Sequence, residues 1–178
     1  FTIEETDGST EVDESGTTDT FTVVLDAQPT SDVVLTITSE STTEASVNPS
    51  SVTFTSENWD TPQTVTVTGV DENVVDGDQT TNITIAILDT ASDDNFDALA
   101  DQTVSVDTLD DDVAGFTVEE TDGSTEVDES GSTDIFTVVL DAEPTSDVVL
   151  TITSDDTGEA TVPASVTFTA ADWDTPQT

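Results

Sequence analysis

A chain that repeats itself is built of like units, so each repeat must be read as one structural unit. Here the stretch from Phe1 to Thr64 returns as Phe116 to Thr178: FTIEETDGSTEVDESG is echoed by FTVEETDGSTEVDESG, and both stretches close on WDTPQT. Asn48 has no counterpart; most other aligned positions are identical. Self-similarity of this kind marks a tandem array. It also supplies an internal comparison for every motif. The chain begins and ends inside the pattern, so it reads as a piece of a longer polypeptide, with residues 1–112 as the first repeat and 113–178 as the start of a second, incomplete one.

Within the repeat, apolar residues recur at every second position. Phe21, Val23 and Leu25 alternate with Thr22 and Val24; Val33, Leu35 and Ile37 alternate with Val34 and Thr36. Val52 with Phe54, Val65 with Val67, Ile83 with Ile85 and Ile87, and Val104 with Val106 follow the same rule. Period two is the signature of a half-buried strand. With an opening strand near Phe1–Glu5 this predicts about seven strands per repeat, the number of an immunoglobulin-like sandwich. Turn signals separate them, among them Asp7-Gly8, Ser15-Gly16, Asn48-Pro49 and Asp76-Gly77-Asp78. No segment carries helical periodicity. The expected fold is therefore all-β: tandem Ig-like antiparallel sandwiches, the second copy incomplete. Trp59, repeated as Trp173, is expected to cap one end of the core.

Charge sets the second constraint. The chain has 41 Asp plus Glu, no Lys, Arg or His, and a formal net charge of −41. No side-chain salt bridge can form, and self-repulsion opposes compaction. Screening over about 10 Å at 0.1 M salt relieves exposed charges only in part. Counter-charge must come from solvent, as bound divalent metal or as high salt. High charge with few aromatics often means disorder, but the strict alternation of β-branched residues argues for strands. Nucleic acid and anionic membrane surfaces are poor partners without cationic side chains. The absence of Cys excludes a disulfide scaffold and a zinc-thiolate site. No apolar run approaches the ~18 residues of a membrane span.

The acidic residues cluster. Glu11, Asp13 and Glu14 follow the first strand; Asp71, Glu72, Asp76 and Asp78 lie on a loop between two strong strands; Asp93, Asp94, Asn95 and Asp97 sit in a long loop; Asp110-Asp111-Asp112 closes the repeat. A solvated acidic surface is the plain reading of any such run. Carboxylates gathered without Lys or Arg are costly unless a cation sits among them, and Ca²⁺ accepts six to eight oxygens in irregular loops. Without His or Cys, transition metals are poor candidates. Mg²⁺ fits less well because it demands stricter octahedral geometry.

The opening Phe-Thr-Ile-Glu-Glu, the run Val12-Asp13-Glu14-Ser15-Gly16, the acidic loop after Val70 and the junction Asp110-Asp111-Asp112-Val113-Ala114-Gly115-Phe116-Thr117 together resemble a Calx-beta domain. The resemblance covers the first repeat and the first half of the second. It implies a seven-stranded Ig-like sandwich with calcium ions clustered at one end. Carried onto matching positions, the implied ligands are Glu14, then Asp71, Glu72, Asp76 and Asp78, then Asp110, Asp111 and Asp112. Glu44 lies near a further ligand position, and Asp93, Asn95 and Asp97 are weaker candidates from their alternating spacing. The family's Asp-Tyr after the third strand is missing, and the acidic loop is less Glu-rich. The Thr- and Asp-rich style is similar to the repeat stalks of large bacterial surface proteins.

No enzyme is expected. Asp156-Thr157-Gly158 has the form of an aspartic-protease triplet, but the first repeat has Ser41-Thr42-Thr43 there. Among so many acids some pair always falls at a glycosidase-like separation, so that signal is empty. No His, Lys, Cys or Tyr is present to act as base or nucleophile. The expected function is structural: a calcium-stabilised repeat of a secreted cell-surface fibre or adhesin stalk, with neighbouring repeats of the same chain as partners. An ion at the junction would also fix the angle between repeats. Rival readings are a calcium-sensing module, a salt-adapted surface protein, and an extracellular filament in which strands are exchanged between subunits.

Overall fold

The computed structural model describes residues 1–178. The chain divides into two compact units: residues 1–72 with 77–111, and residues 112–178 with the short segment 73–76.

The first unit is a two-sheet β-sandwich. Its strands are β1 (Thr2–Glu5), β2 (Thr10–Asp13), β3 (Thr18–Val24), β4 (Val33–Ser39), β5 (Ala45–Asn48), β6 (Ser51–Phe54), β7 (Gln63–Gly69), β8 (Gln79–Ile87) and β9 (Gln102–Leu109). One sheet runs β1-β3-β7-β5 and the other β2-β9-β8-β4-β6. Alternation dictates which residues face inward. Phe21 and Val23 of β3, Leu35 and Ile37 of β4, Val65 and Val67 of β7, and Ile83 and Ile85 of β8 are all buried. Their register puts Phe21 opposite Val65 and Ile37 opposite Ile85. Each such side chain contributes about 1.5–3 kcal/mol on burial, and together they form one continuous core. Trp59 packs against its rim, and its carbonyl accepts the Leu25 N–H at 3.1 Å. Trp173 does the same for Leu140 in the second unit, also at 3.1 Å.

Two strands exceed the seven expected: β2, hidden inside an acidic run, and β5, a short edge strand. The opening strand stands as expected, and β2 is set off from it by a tight turn at Thr6–Gly8, where Asp7 and Gly8 both take positive φ (57° and 87°). The turn carries the chain from one sheet to the other. There β2 pairs with β9 in parallel, Asp13 opposite Leu109, so the sandwich is not wholly antiparallel.

The second unit follows the same plan over its shorter length. β10 (Phe116–Glu120) pairs with β11 (Phe136–Leu140), and β12 (Val148–Thr151) pairs with β13 (Ser165–Phe168). Val138, Leu140 and Phe168 form its core, with Phe136, Val148, Leu150, Val166 and Trp173 packed around them.

Candidate metal centre

The parallel pairing of β2 with β9 builds the site. Because Asp13 lies opposite Leu109, the next residue on each strand falls at the same end of the sandwich. The Glu14 N–H donates to the Leu109 carbonyl at 3.1 Å, which sets Glu14 beside the start of the Asp110–Asp112 run. A turn then locks Glu14 from the other side. Asp13 accepts the Ser15 N–H on Oδ1 at 2.9 Å and the Gly16 N–H on its carbonyl at 3.1 Å, while its own N–H donates to Thr17 Oγ1 at 2.6 Å. The Ser15 hydrogen bonds hold the Asp13 carboxyl below its ordinary pKa. The second unit repeats the turn, with Ser130 N–H on Asp128 at 2.8 Å and Asp128 N–H on Ser132 at 2.7 Å. The local sequence alone therefore specifies it.

Gly69 is the other requirement. A Cβ built there would lie 2.1 Å from the Asp13 carbonyl oxygen. Only glycine lets the end of β7 pass this close beneath the end of β2. Its N–H donates to the Thr17 carbonyl at 3.0 Å. Gly69 was not singled out from the sequence. The signal for it was a glycine closing an otherwise regular VTVTG strand, just before the acidic loop.

Glu14 is completely buried. Its carboxylate belongs to two groups, one with Glu72 and Asp76 and one with Asp110 and Asp112, and within each group ligand oxygens lie within 4.8 Å of one another. The loop is fastened to the junction run by two bonds: Gly77 N–H to Asp110 Oδ2 at 2.7 Å, and Asp110 N–H to Asp78 Oδ1 at 3.2 Å. Asp76 directly precedes Gly77, and Asp112 lies two residues after Asp110.

Of the residues named from the sequence, then, Glu14, Glu72, Asp76, Asp110 and Asp112 come together. Asp71, Asp78 and Asp111 are exposed and belong to neither group. Asp78 serves the lock instead, as acceptor for the Asp110 amide. Glu44 is half-buried next to the end of β7, where its carbonyl accepts the Val70 N–H at 2.9 Å; its Oε2 is buried without a hydrogen-bond partner.

The Asp93 loop is built differently. Asp93 Oδ2 accepts from Thr30 Oγ1 at 2.7 Å, Thr30 N–H at 2.6 Å and Ser31 N–H at 3.1 Å; Oδ1 accepts from Asn95 N–H at 3.0 Å and Asn95 Nδ2 at 2.7 Å. These bonds, the Thr30 hydroxyl foremost, hold its pKa far below the usual carboxylate value. Asp93 and Asn95 thus tie two loops together. Asp97 is shifted the opposite way, upward, by burial first and then by the charges of Asp89, Asp94 and Asp93.

The donor set around Glu14 consists of oxygens alone. Two oxygens on opposite sides of an ion with bonds of about 2.4 Å lie about 4.8 Å apart, so each group is compact enough to meet on one Ca²⁺. No side chain of the protein supplies a counter-charge. Its amine, at Phe1, lies 3.0 Å from Asp26.

No family model matches the chain, and no curated protein matches it. Among solved structures it is similar to the calcium binding domain CBD12 of CALX1.1, at 17% identity and a TM-score of 0.42, over 73% of this chain and 52% of that one. It is also similar to the E. coli chaperone DraB (10% identity, TM-score 0.45, 65% and 57% covered). A third is SSP-19, an MSP-domain protein like family member in Caenorhabditis elegans (16% identity, TM-score 0.38, 57% and 92% covered). The β-sandwich assignment stands on the chain's own sheets.

Proposed function

We propose that this chain is a structural repeat of a long extracellular surface protein, stabilised by calcium held at one end of each sandwich. The observation that carries the reading is a fully buried glutamate shared by two compact carboxylate groups, in a chain with no Lys, Arg or His. Burying a carboxylate among others is costly unless a cation compensates it. Glu14, Glu72 and Asp76 would hold one ion, and Glu14, Asp110 and Asp112 another, with Glu14 bridging. Calcium supplies the positive charge the sequence lacks, and it binds the folded state because only folding brings these segments together.

The mechanism is linkage. An ion that binds only the folded form stabilises it by RT ln(1 + [Ca]/Kd), about 2.7 kcal/mol at a hundredfold excess. Extracellular modules bind with Kd of about 10⁻⁴ to 10⁻³ M, so millimolar calcium outside cells would saturate the site and cytosolic calcium would not. The reading involves no catalytic step. No helix in the structure is long and apolar enough to cross a membrane. The partners in this reading are further copies of the repeat along the same polypeptide, stiffened at each Asp110-Asp111-Asp112-type junction.

Calorimetric titration of the 178-residue chain with CaCl₂ at 150 mM KCl tests this. Saturable binding in the extracellular Kd range, lost on Glu14→Gln, supports it. Binding that is undetectable, or unchanged by Glu14→Gln, overturns it.

A further inference from the structure

The buried positions of β9 are Val104, Val106 and Thr108. Valine and threonine have nearly the same outline and differ by the hydroxyl. Packing alone would be met by a third valine, so the hydroxyl needs a reason of its own. Thr108 is 0% exposed, and its Oγ1 is buried without a hydrogen-bond partner. A buried hydroxyl left unpaired costs stability that a methyl group does not. The other two buried threonines of the sandwich are paired. Thr10 Oγ1 donates to Glu5 Oε1 at 3.0 Å, and Thr81 Oγ1 accepts the Ser41 N–H at 3.1 Å. Thr108 is the exception.

Register places this hydroxyl. Thr108 lies opposite Val12 in the parallel pairing of β9 with β2, and opposite Gln79 in the antiparallel pairing with β8. Paired residues share a face of the sheet, and so do alternate residues of one strand. The ladder runs one step past β2, where the Glu14 N–H meets the Leu109 carbonyl, and Glu14 is buried as Val12 is. Thr108 therefore stands on the inner face, level with Val12 and just beneath Glu14. It precedes Asp110 by two residues, about 6.6 Å along the chain. An ion bound to both at about 2.4 Å per bond fits in that interval. Calcium takes six to eight oxygens, and every added carboxylate raises the repulsion within the group. A hydroxyl has two lone pairs and no charge, so it adds a ligand without adding repulsion.

We propose that Thr108 is an uncharged ligand for the cation held by Glu14, Asp110 and Asp112, its Oγ1 closing the site from the core side. The proposal rests on the calcium reading and adds to it a residue that lies outside every acidic run. The hydroxyl is left unpaired by the fold because its partner is the ion.

The test is calorimetric titration of the 178-residue chain with CaCl₂, as wild type, Thr108→Val and Thr108→Ser, together with melting of each in EDTA. Thr108→Val is expected to raise the calcium Kd by about tenfold or more, and Thr108→Ser, which keeps the hydroxyl, to stay within about threefold of the wild type. In EDTA, Thr108→Val is expected to melt at or above the wild-type temperature, because an unpaired buried hydroxyl gives way to a methyl. Calcium binding by Thr108→Val equal to the wild type, with binding by Glu14→Gln lost, overturns this proposal alone. So does Thr108→Ser binding as weakly as Thr108→Val. A Thr108→Val chain that melts lower in EDTA overturns it too, since the hydroxyl then serves the ion-free fold. A wild type that binds no calcium overturns the calcium reading and this proposal with it.

Discussion

Replacing Glu14 with glutamine keeps the shape of a completely buried side chain and removes the charge that both carboxylate groups share. Its effect should change sign with calcium. At 10 mM Ca²⁺ and a Kd of about 10⁻⁴ M, each ion contributes about 2.7 kcal/mol, so two ions contribute about 5 kcal/mol. Weakening both by about a hundredfold removes nearly all of this, since each tenfold is about 1.4 kcal/mol. At about 4 °C per kcal/mol for a domain of this size, calcium should raise the first unit's melting midpoint by about 20 °C in the wild type and by a few degrees in Glu14→Gln. In EDTA the same substitution should leave the midpoint unchanged or raise it, because it deletes a buried charge surrounded by like charges. Differential scanning calorimetry with and without calcium reads both. Glu129→Gln, at the exposed equivalent in the second unit, should change neither. A midpoint lowered as much in EDTA as in calcium would refute the reasoning. Glu14 would then act as a hydrogen-bonding core residue.

Gly69→Ala places a Cβ 2.1 Å from the Asp13 carbonyl. It should cost about 1–3 kcal/mol by urea unfolding, as overpacking does, and weaken calcium binding in titration, because the displaced backbone is the one that carries Glu14. Asp93 has a folded-state pKa depressed chiefly by the Thr30 hydroxyl, against about 3.9 unfolded. Its contribution is therefore full above about pH 4 and is lost as pH falls toward the folded value. The stability gap between wild type and Asp93→Asn, measured by urea unfolding in EDTA, should be constant from pH 5 to 7 and narrow below pH 4. A gap that widens on acidification would contradict the sign.

Most of the sandwich could be read directly because its inner strands obey period two without exception. Phe21-Val23, Leu35-Ile37, Val65-Val67 and Ile83-Ile85 all point inward as alternation requires. The edges were harder. In β2 the buried residues Thr10 and Val12 are separated by Glu11 and followed by Asp13, so the strand is submerged in what reads as an acidic loop. Its parallel pairing with β9 is a non-local fact that no local pattern encodes. The same limit applies to the site. Residue type and clustering single out the acidic runs, but not which carboxylates converge. Backbone geometry sorts them afterwards. In the Asp110–Asp112 run, beyond the end of β9, Asp110 and Asp112 join Glu14 while Asp111 stays exposed. Asp93, which composition groups with the other acids, is drawn into a hydrogen-bonded tie with Thr30 and Ser31, more than 60 residues earlier in the chain. Gly69 is visible in the sequence only as a departure from strand composition. Its role depends on the approach of a neighbouring strand.

The central claim is that specific ions, and not ionic strength, offset the concentrated charge. Thermal unfolding of the 178-residue chain in EDTA, in about 10 mM CaCl₂, and in KCl at matched and at molar ionic strength separates the two. The account predicts a large rise in the midpoint with calcium that KCl does not reproduce. A midpoint raised equally by molar KCl would contradict it, and the clustered carboxylates would then be a salt-adapted acidic surface.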